Sequence, residues 1–306
     1  MTSPLLMTWY GDDLTGSTDV MEALALSGIE AVLFLDIPDP DQRARFPGVR
    51  ALGIAGTSRS ETPEWMDENL PPAFAALAAE GAQVMIADIK DGAGLAAEIA
   101  AKHGSNSTAS FTFDVSDEAQ CKALVAKTIE RFGKIDILIN NAALYAPLPT
   151  VGVTDMDVEL WDKVMAVNIR GPFLMTKHVA PHMIAKKSGK IVNIGSGTVA
   201  RGIPDFSHYV TSKGAITAFT RCVSRELGAH GICVNTLAPG YTLSDTGLTN
   251  TVHVEQSKAA AIQRRALKRD EYPEDLLGTL VFLCSADSDF MTGQVITVDG
   301  GANNTA

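Results

Sequence analysis

The chain has 306 residues, 46% hydrophobic and 20% charged, with a net charge of −11 and a pI near 5.0. That length suits one large α/β domain or a domain with an appendage, and the composition is globular rather than disordered. The acidic balance argues against a nucleic-acid or anionic-membrane partner, since both reward clustered Lys and Arg.

The opening "MTSPLLMTWYGDD" has neither a basic leader nor a long apolar run, and no later segment reaches ~18 uninterrupted apolar residues. A cytoplasmic protein is expected. The predicted strands, in chain order, are 5–10 ("LLMTWY"), 31–37, 50–56 ("RALGIAG"), 83–89 ("QVMIADI"), 109–115, 137–142, 190–196, 233–240 and 294–300. Helical spacing fills the gaps, as in "TDVMEALALSG" and "AQCKALVAKTIERFG", each closed by a glycine. Strands alternating with amphipathic helices predict a doubly wound, Rossmann-like parallel sheet covered on both faces. The least regular stretch is 38–72, which holds "DIPDPD", "FPG", "ETPEW" and "NLPPAF" and reads as a linker or junction. Cys121, Cys222, Cys233 and Cys284 lack C-x-x-C spacing and read as buried thiols of a reducing compartment. His178, His182, His208 and His230 lack metal spacing and read as solvated or packing residues. The basic run 261–271 reads as a solvated or capping segment of a helix.

The chemistry concentrates in "GSGTVARGIPDFSHYVTSKGA", residues 195–215. Tyr209 and Lys213 stand four apart on a predicted helix and so share a face. Ser196 closes a buried strand at its carboxyl end, where open parallel sheets bind ligands. A tyrosine titrates near ~10, and a nearby ammonium favours its ionised form. The pair is then a usable acid/base, with a serine hydroxyl to hold the reacting oxygen. Asp88 ends the 83–89 strand, where a carboxylate can accept hydrogen bonds from both adenosine ribose hydroxyls and repel a 2′-phosphate. That favours NAD over NADP.

In order and at compatible spacing, "KIDILINNAA", "VMAVNIRGPF", "IVNIGS", "YVTSK", "GICVNTLAPG" and "FMTGQVITVDGGA" accompany these residues. Together they resemble the classical short-chain dehydrogenase/reductase family over about residues 73–303. The resemblance implies Tyr209 as catalytic proton donor/acceptor and Lys213 as the lysine that lowers its pKa and holds the nicotinamide ribose. Ser196 would orient the substrate carbonyl or alcohol, and Asn168 would support a water-linked proton relay to the lysine. Asn141 would contact the cofactor, although Ala143 stands where the family usually has glycine. Asp114 and Val115 would sit beside the adenine, and Thr242 would meet the nicotinamide amide. A small alcohol or ketone substrate and a homotetramer are likewise implied.

The family's first strand is followed by a T-G-x-x-x-G-x-G turn that admits the pyrophosphate to a helix N-terminus. No such pattern precedes residue 81. Instead "YGDDLTGSTDVMEALALSGIEAVLFLDIP", with the later "ALGIAGTSRS", resembles the start of the four-carbon acid sugar kinase family over about residues 5–75. By that resemblance Asp12, Asp13 and Arg59 are candidate sugar-acid contacts, but most of the kinase is missing. The chain is therefore expected as a hybrid, with 1–72 a partial kinase-like segment and 73–306 the dehydrogenase/reductase domain. A sheet cannot leave a central slot empty. Residues 50–56 are the expected stand-in for the first strand, with "TSRSETPEW" replacing the glycine turn; "LLMTWY" is the second choice. Weakened NAD binding follows. The competing expectations are a catalytically silent hybrid or a sugar-acid-binding module.

Overall fold

The computed structural model describes residues 7–11, 31–34, 51–55, 83–89, 91–104, 107–145, 148–243 and 251–303. Asp12, Asp13, Arg59, the "TDVMEALALSG" helix and the "TSRSETPEW" turn lie outside them. The chain divides into two compact units, Met1–Ala82 and Gln83–Ala306.

In the first unit, β1 (Met7–Gly11), β2 (Ala31–Phe34) and β3 (Ala51–Ala55) form a parallel sheet in the order β1-β3-β2. Ile54 is in register with Tyr10 on one side and with Phe34 on the other. A strand has two hydrogen-bonding edges, and both edges of β3 are taken inside its own unit. The expectation that 50–56 serves as first strand of the larger sheet is thereby overturned. The second choice, 5–10, has also committed one edge, to β3.

The second unit follows the expected alternation. β4 (Val84–Asp88), α1 (Ala93–His103), β5 (Thr108–Thr112), α2 (Glu118–Phe132) and β6 (Ile137–Asn140) come first. Then follow α3 (Val158–Met165), a π turn over Ala166–Arg170, α4 (Gly171–Lys186) and β7 (Gly189–Ile194). The four-residue α5 (Thr198–Arg201), α6 (Ser207–Leu227), β8 (Ile232–Pro239), α7 (Thr251–Arg264), α8 (Glu274–Cys284) and β9 (Val295–Val298) complete it. All pairings are parallel, with β4 on β5 and a second run β6-β7-β8-β9. All nine predicted strands are present, most trimmed at one or both ends.

Local chemistry explains the elements. Asp117 caps α2 by accepting from the backbone N–H groups of Ala119 and Gln120, and Gly133 ends it in the left-handed region at φ 78°. β7 and β8 are buried on both faces, as continuous apolar runs in parallel sheets require. One core joins Phe113, Leu124, Leu138, Leu174, Ile191 and Val234, so β5 and the four-stranded run share it. Gly171 opens α4 where a Cβ would come within 2.9 Å of Val115, which lets the helix approach the loop after β5. Cys121 and Cys233 are buried as expected, but Cys222 is exposed on α6.

Candidate active site

Ser196 leaves the carboxyl end of β7 on a backbone held from β8: Gly195 N–H donates to the Leu237 carbonyl at 2.7 Å and Gly197 N–H to the Pro239 carbonyl at 2.9 Å. Its Oγ accepts from the Thr198 backbone N–H (3.2 Å) and hydroxyl (2.9 Å), tying α5 to the serine. Tyr209 and Lys213 lie on one face of α6, and both are buried. The Lys213 ammonium donates to the Ile194 carbonyl at 2.7 Å and sits 5.8 Å from the centre of the Tyr209 ring. The structure thus brings Ser196, Tyr209 and Lys213 together as the spacing implied.

Their proton affinities have a different origin from the expected one. Burial pushes the Tyr209 phenol up, well above the usual tyrosine value, with the Ser196 hydroxyl acting in the opposite direction. Burial pushes Lys213 down to about 8. The lysine that should lower the tyrosine's pKa holds its own proton less firmly through desolvation, and its ammonium is committed to a carbonyl. Its single acceptor among the described residues leaves two of its three N–H groups for a ligand's hydroxyls.

Asn168 lies in the π turn between α3 and α4, a distortion often met at functional sites. Its amide accepts from the Leu144 backbone N–H at 2.7 Å and donates to the Leu144 carbonyl at 3.2 Å and to Ser212 Oγ at 3.0 Å. Asn168 therefore pins the loop after β6 onto α6. This is a positioning contact, and its side chain reaches the neighbour of Lys213 rather than Lys213. The same loop carries Asn141, exposed after β6, and Tyr145, whose ring lies 5.0 Å from that of Tyr209.

The remaining expected cofactor contacts sit at carboxyl ends of strands. Asp88 ends β4. Asp114 follows β5 and accepts from the Ser116 backbone and hydroxyl, while the Val115 side chain is buried in the core. Thr242 follows β8, but its hydroxyl donates to Glu271 at 2.7 Å.

Two networks were not anticipated. Glu271 also accepts from the Gly240 backbone N–H and pairs with Arg265 at 3.0 Å, both partners being nearly fully buried. Arg265 donates in addition to the carbonyls of Tyr241 and Arg269. The basic run is therefore not simply solvated: Arg265 is the internal brace of the 240–242 loop. A Cβ on Gly240 would crowd the Glu271 carboxylate and come within 2.9 Å of the Asp299 Cα, so a larger residue there forces a backbone shift. Beneath the serine, Asn140 donates to Asn193, Asn193 donates to Thr220, and Thr220 pairs with Thr236, each at 2.8 Å and each buried. This chain ties β6, β7 and β8 to α6. Of the histidines, His178 pairs with Glu118, whereas His208 is fully buried with both ring nitrogens unpartnered.

A serine, a tyrosine and a lysine thus converge at the strand ends of a parallel α/β fold. Residues 73–303 match the family model described as enoyl-(acyl carrier protein) reductase, and the chain belongs to the short-chain dehydrogenase/reductase family. Residues 7–90 match a model described as a sugar-binding N-terminal domain. The chain is 39% identical to a galactitol 2-dehydrogenase of Agrobacterium fabrum over 74% of its own length and 90% of the relative's. It is 35% identical to a 5-keto-D-gluconate 5-reductase of Escherichia coli, over 72% and 85% respectively. A solved gluconate 5-dehydrogenase from Burkholderia cenocepacia, in complex with NADP and tartrate, superposes with a TM-score of 0.68 at 32% identity. That match covers 76% of this chain and 89% of the neighbour. Among the described residues no helix is long and apolar enough to cross a membrane, and no group of His, Cys, Asp and Glu could hold a metal.

Proposed function

We propose that the protein interconverts a secondary alcohol and a ketone on a small polyhydroxy substrate, using NAD(H). The observation that carries this reading is the convergence of buried Tyr209 and Lys213 beside Ser196. The Tyr209 phenol, protonated across the neutral range, gives its proton to a ketone oxygen as the alcohol forms and takes it back in the reverse direction. The Ser196 hydroxyl holds that oxygen. Lys213 offers its two remaining N–H groups to ribose hydroxyls, so its donor set fits a nicotinamide cofactor. When bound, that cofactor supplies or accepts the hydride. Asn168 keeps the Asn141–Tyr145 loop against α6 and so keeps the cofactor side of the site in register.

Asp88 supports NAD, because its carboxylate would repel a 2′-phosphate. The solved neighbour holds NADP, so this residue is where the two would part. Weakened cofactor binding follows from the absence of a T-G-x-x-x-G-x-G turn in the sequence. The polyhydroxy substrate class is supported by the names of the relatives, and a homotetramer by the family. A second reading, a silent hybrid or sugar-acid-binding module, is favoured by the open edges of β4 and β6, each paired on one side only among the described residues.

The test is turnover. Reduced-nicotinamide absorbance is followed with galactitol and with 5-keto-D-gluconate, for the full chain and for Tyr209→Phe. Turnover by the wild type that Tyr209→Phe abolishes supports the enzyme. No turnover in either direction by a protein that binds NADH leaves the silent reading.

A further inference from the structure

Arg201 closes α5, the short turn that Thr198 ties to the Ser196 hydroxyl. Its guanidinium is half-buried, and its Nε is fully enclosed with no hydrogen-bond partner. No carboxylate among the described residues lies within ion-pair distance of it. The carboxylate that acts on it is Asp299, whose two oxygens are already committed to the backbone N–H groups of Gly301, Ala302 and Asn303 and to the Asn303 amide. The neighbouring Arg265 is satisfied by Glu271. Arg264, exposed at the end of α7, adds a second positive charge beside Arg201. Burial, reinforced by Arg264, holds the Arg201 guanidinium below its ordinary proton affinity.

A half-buried cation without a counter-charge is costly unless a ligand supplies the anion. The location says which ligand. Arg201 acts on Tyr145, and the Tyr145 ring packs on Tyr209 and, at 6.1 Å edge-on, on Phe206. The cation therefore sits on the turn tied to Ser196 and within electrostatic reach of the ring that packs on the phenol. Asp88, the proposed adenosine contact, stands on a different strand end. In a chain of net charge −11, Arg201 and Arg264 together place positive charge here.

We infer that Arg201 binds a carboxylate at the non-reacting end of the substrate, so that the preferred substrate is a sugar acid rather than the neutral alditol. This rests on the proposed redox reading for which end reacts, but the binding of the carboxylate does not require turnover. Arg201 is a specificity residue in this scheme, and Tyr145 is the wall along which the polyol chain lies.

The probes are galactonate and galactitol, which share a carbon skeleton and differ at one end in charge. Affinities are measured by ligand-observed NMR titration on the full chain, with and without NAD+, for wild type, Arg201→Gln and Arg201→Lys. The expected result is galactonate at least about tenfold tighter than galactitol on wild type. Arg201→Gln removes that preference while leaving galactitol within about twofold, and Arg201→Lys restores part of it. An unchanged galactitol affinity also shows that the variant is folded. Equal binding of the two probes to wild type, a parallel loss of both in Arg201→Gln, or no binding of galactonate to wild type overturns the inference. Hydride transfer read on the same samples separates the two ideas. Arg201-dependent galactonate binding without turnover removes the redox reading alone, and turnover of galactitol with no preference for galactonate removes the carboxylate site alone.

Discussion

The strands on either side of the expected first strand are built very differently from those under the tyrosine. β7 and β8 are paired on both edges and closed on both faces, and Ile191 is 1% exposed. β6 has a described partner only in β7, and its Ile137 and Ile139 are 42% and 43% exposed; Val84 on β4, paired only with β5, is 42% exposed. The half that carries Ser196, Tyr209 and Lys213 is over-determined by packing and by the Asn140–Asn193–Thr220–Thr236 chain. The half that should hold adenosine and pyrophosphate has its strand-end residues without the turn that normally joins them. The proposed catalytic residues and the proposed adenosine contact thus depend on different strands.

The largest effect is expected from the intact half. Tyr209→Phe should lower turnover by about 10²–10⁴-fold while NADH affinity stays within about twofold. Steady-state rates and an NADH titration on the same preparation check this, and a loss below about tenfold would mean the phenol is not the proton donor.

Next in size is the brace under the 240–242 loop. Glu271→Ala strands the buried Arg265 charge and should cost about 3–5 kcal/mol in urea unfolding. A cost under about 1 kcal/mol would show that the pair is not buried in solution.

A matched pair of isoleucines then sharpens the contrast between the two regions. Ile191→Ala should cost about 2–5 kcal/mol, against about 1 kcal/mol for Ile139→Ala on the open edge. Equal costs would mean that the β6 edge is covered in the working protein.

The smallest effects are in pH dependence. Because the folded state holds Lys213 down to about 8, against an ordinary 10.5, its contribution to stability is unfavourable at neutral pH. Stability should rise as pH climbs from about 8 toward 10.5, where the folded and unfolded states both become neutral at this site. Lys213→Met should lack that rise and be no less stable than wild type at pH 7 by thermal unfolding, and a lower stability would contradict the assignment. The raised Tyr209 phenol gives the matching kinetic sign: alcohol oxidation should accelerate with pH through the alkaline range, and ketone reduction should not.

Most of the fold could be read from the chain, because buried parallel strands announce themselves as short apolar runs between amphipathic helices. Ser196, Tyr209 and Lys213 were legible for a similar reason, being close in sequence and set on one strand end and one helix face. What escaped reading depends on contacts made across the chain. Glu271 and Arg265 look like part of a solvated charged run until the 240–242 loop folds over them. Asn193 and Thr220, 27 positions apart, are unremarkable singly and become a buried chain only when β7 meets α6. The segment 50–56 has the composition of a central strand, and Ala51–Ala55 is one, but in the sheet of the other unit. Composition reports a strand and says nothing of which neighbours pair with it. Proximity of a lysine alone predicts a lowered Tyr209 phenol, whereas the desolvation that both groups undergo raises it.

The most direct test of the account is the affinity of the full chain for NADH, measured by nicotinamide fluorescence or calorimetry beside a relative that retains the glycine-rich turn. Lost pyrophosphate hydrogen bonds of about 1–3 kcal/mol should make binding about 10–100-fold weaker than in the intact relative, with saturation still reached and with Tyr209→Phe unchanged. An affinity equal to that of the intact relative would contradict the division drawn between the complete and the incomplete half of the sheet.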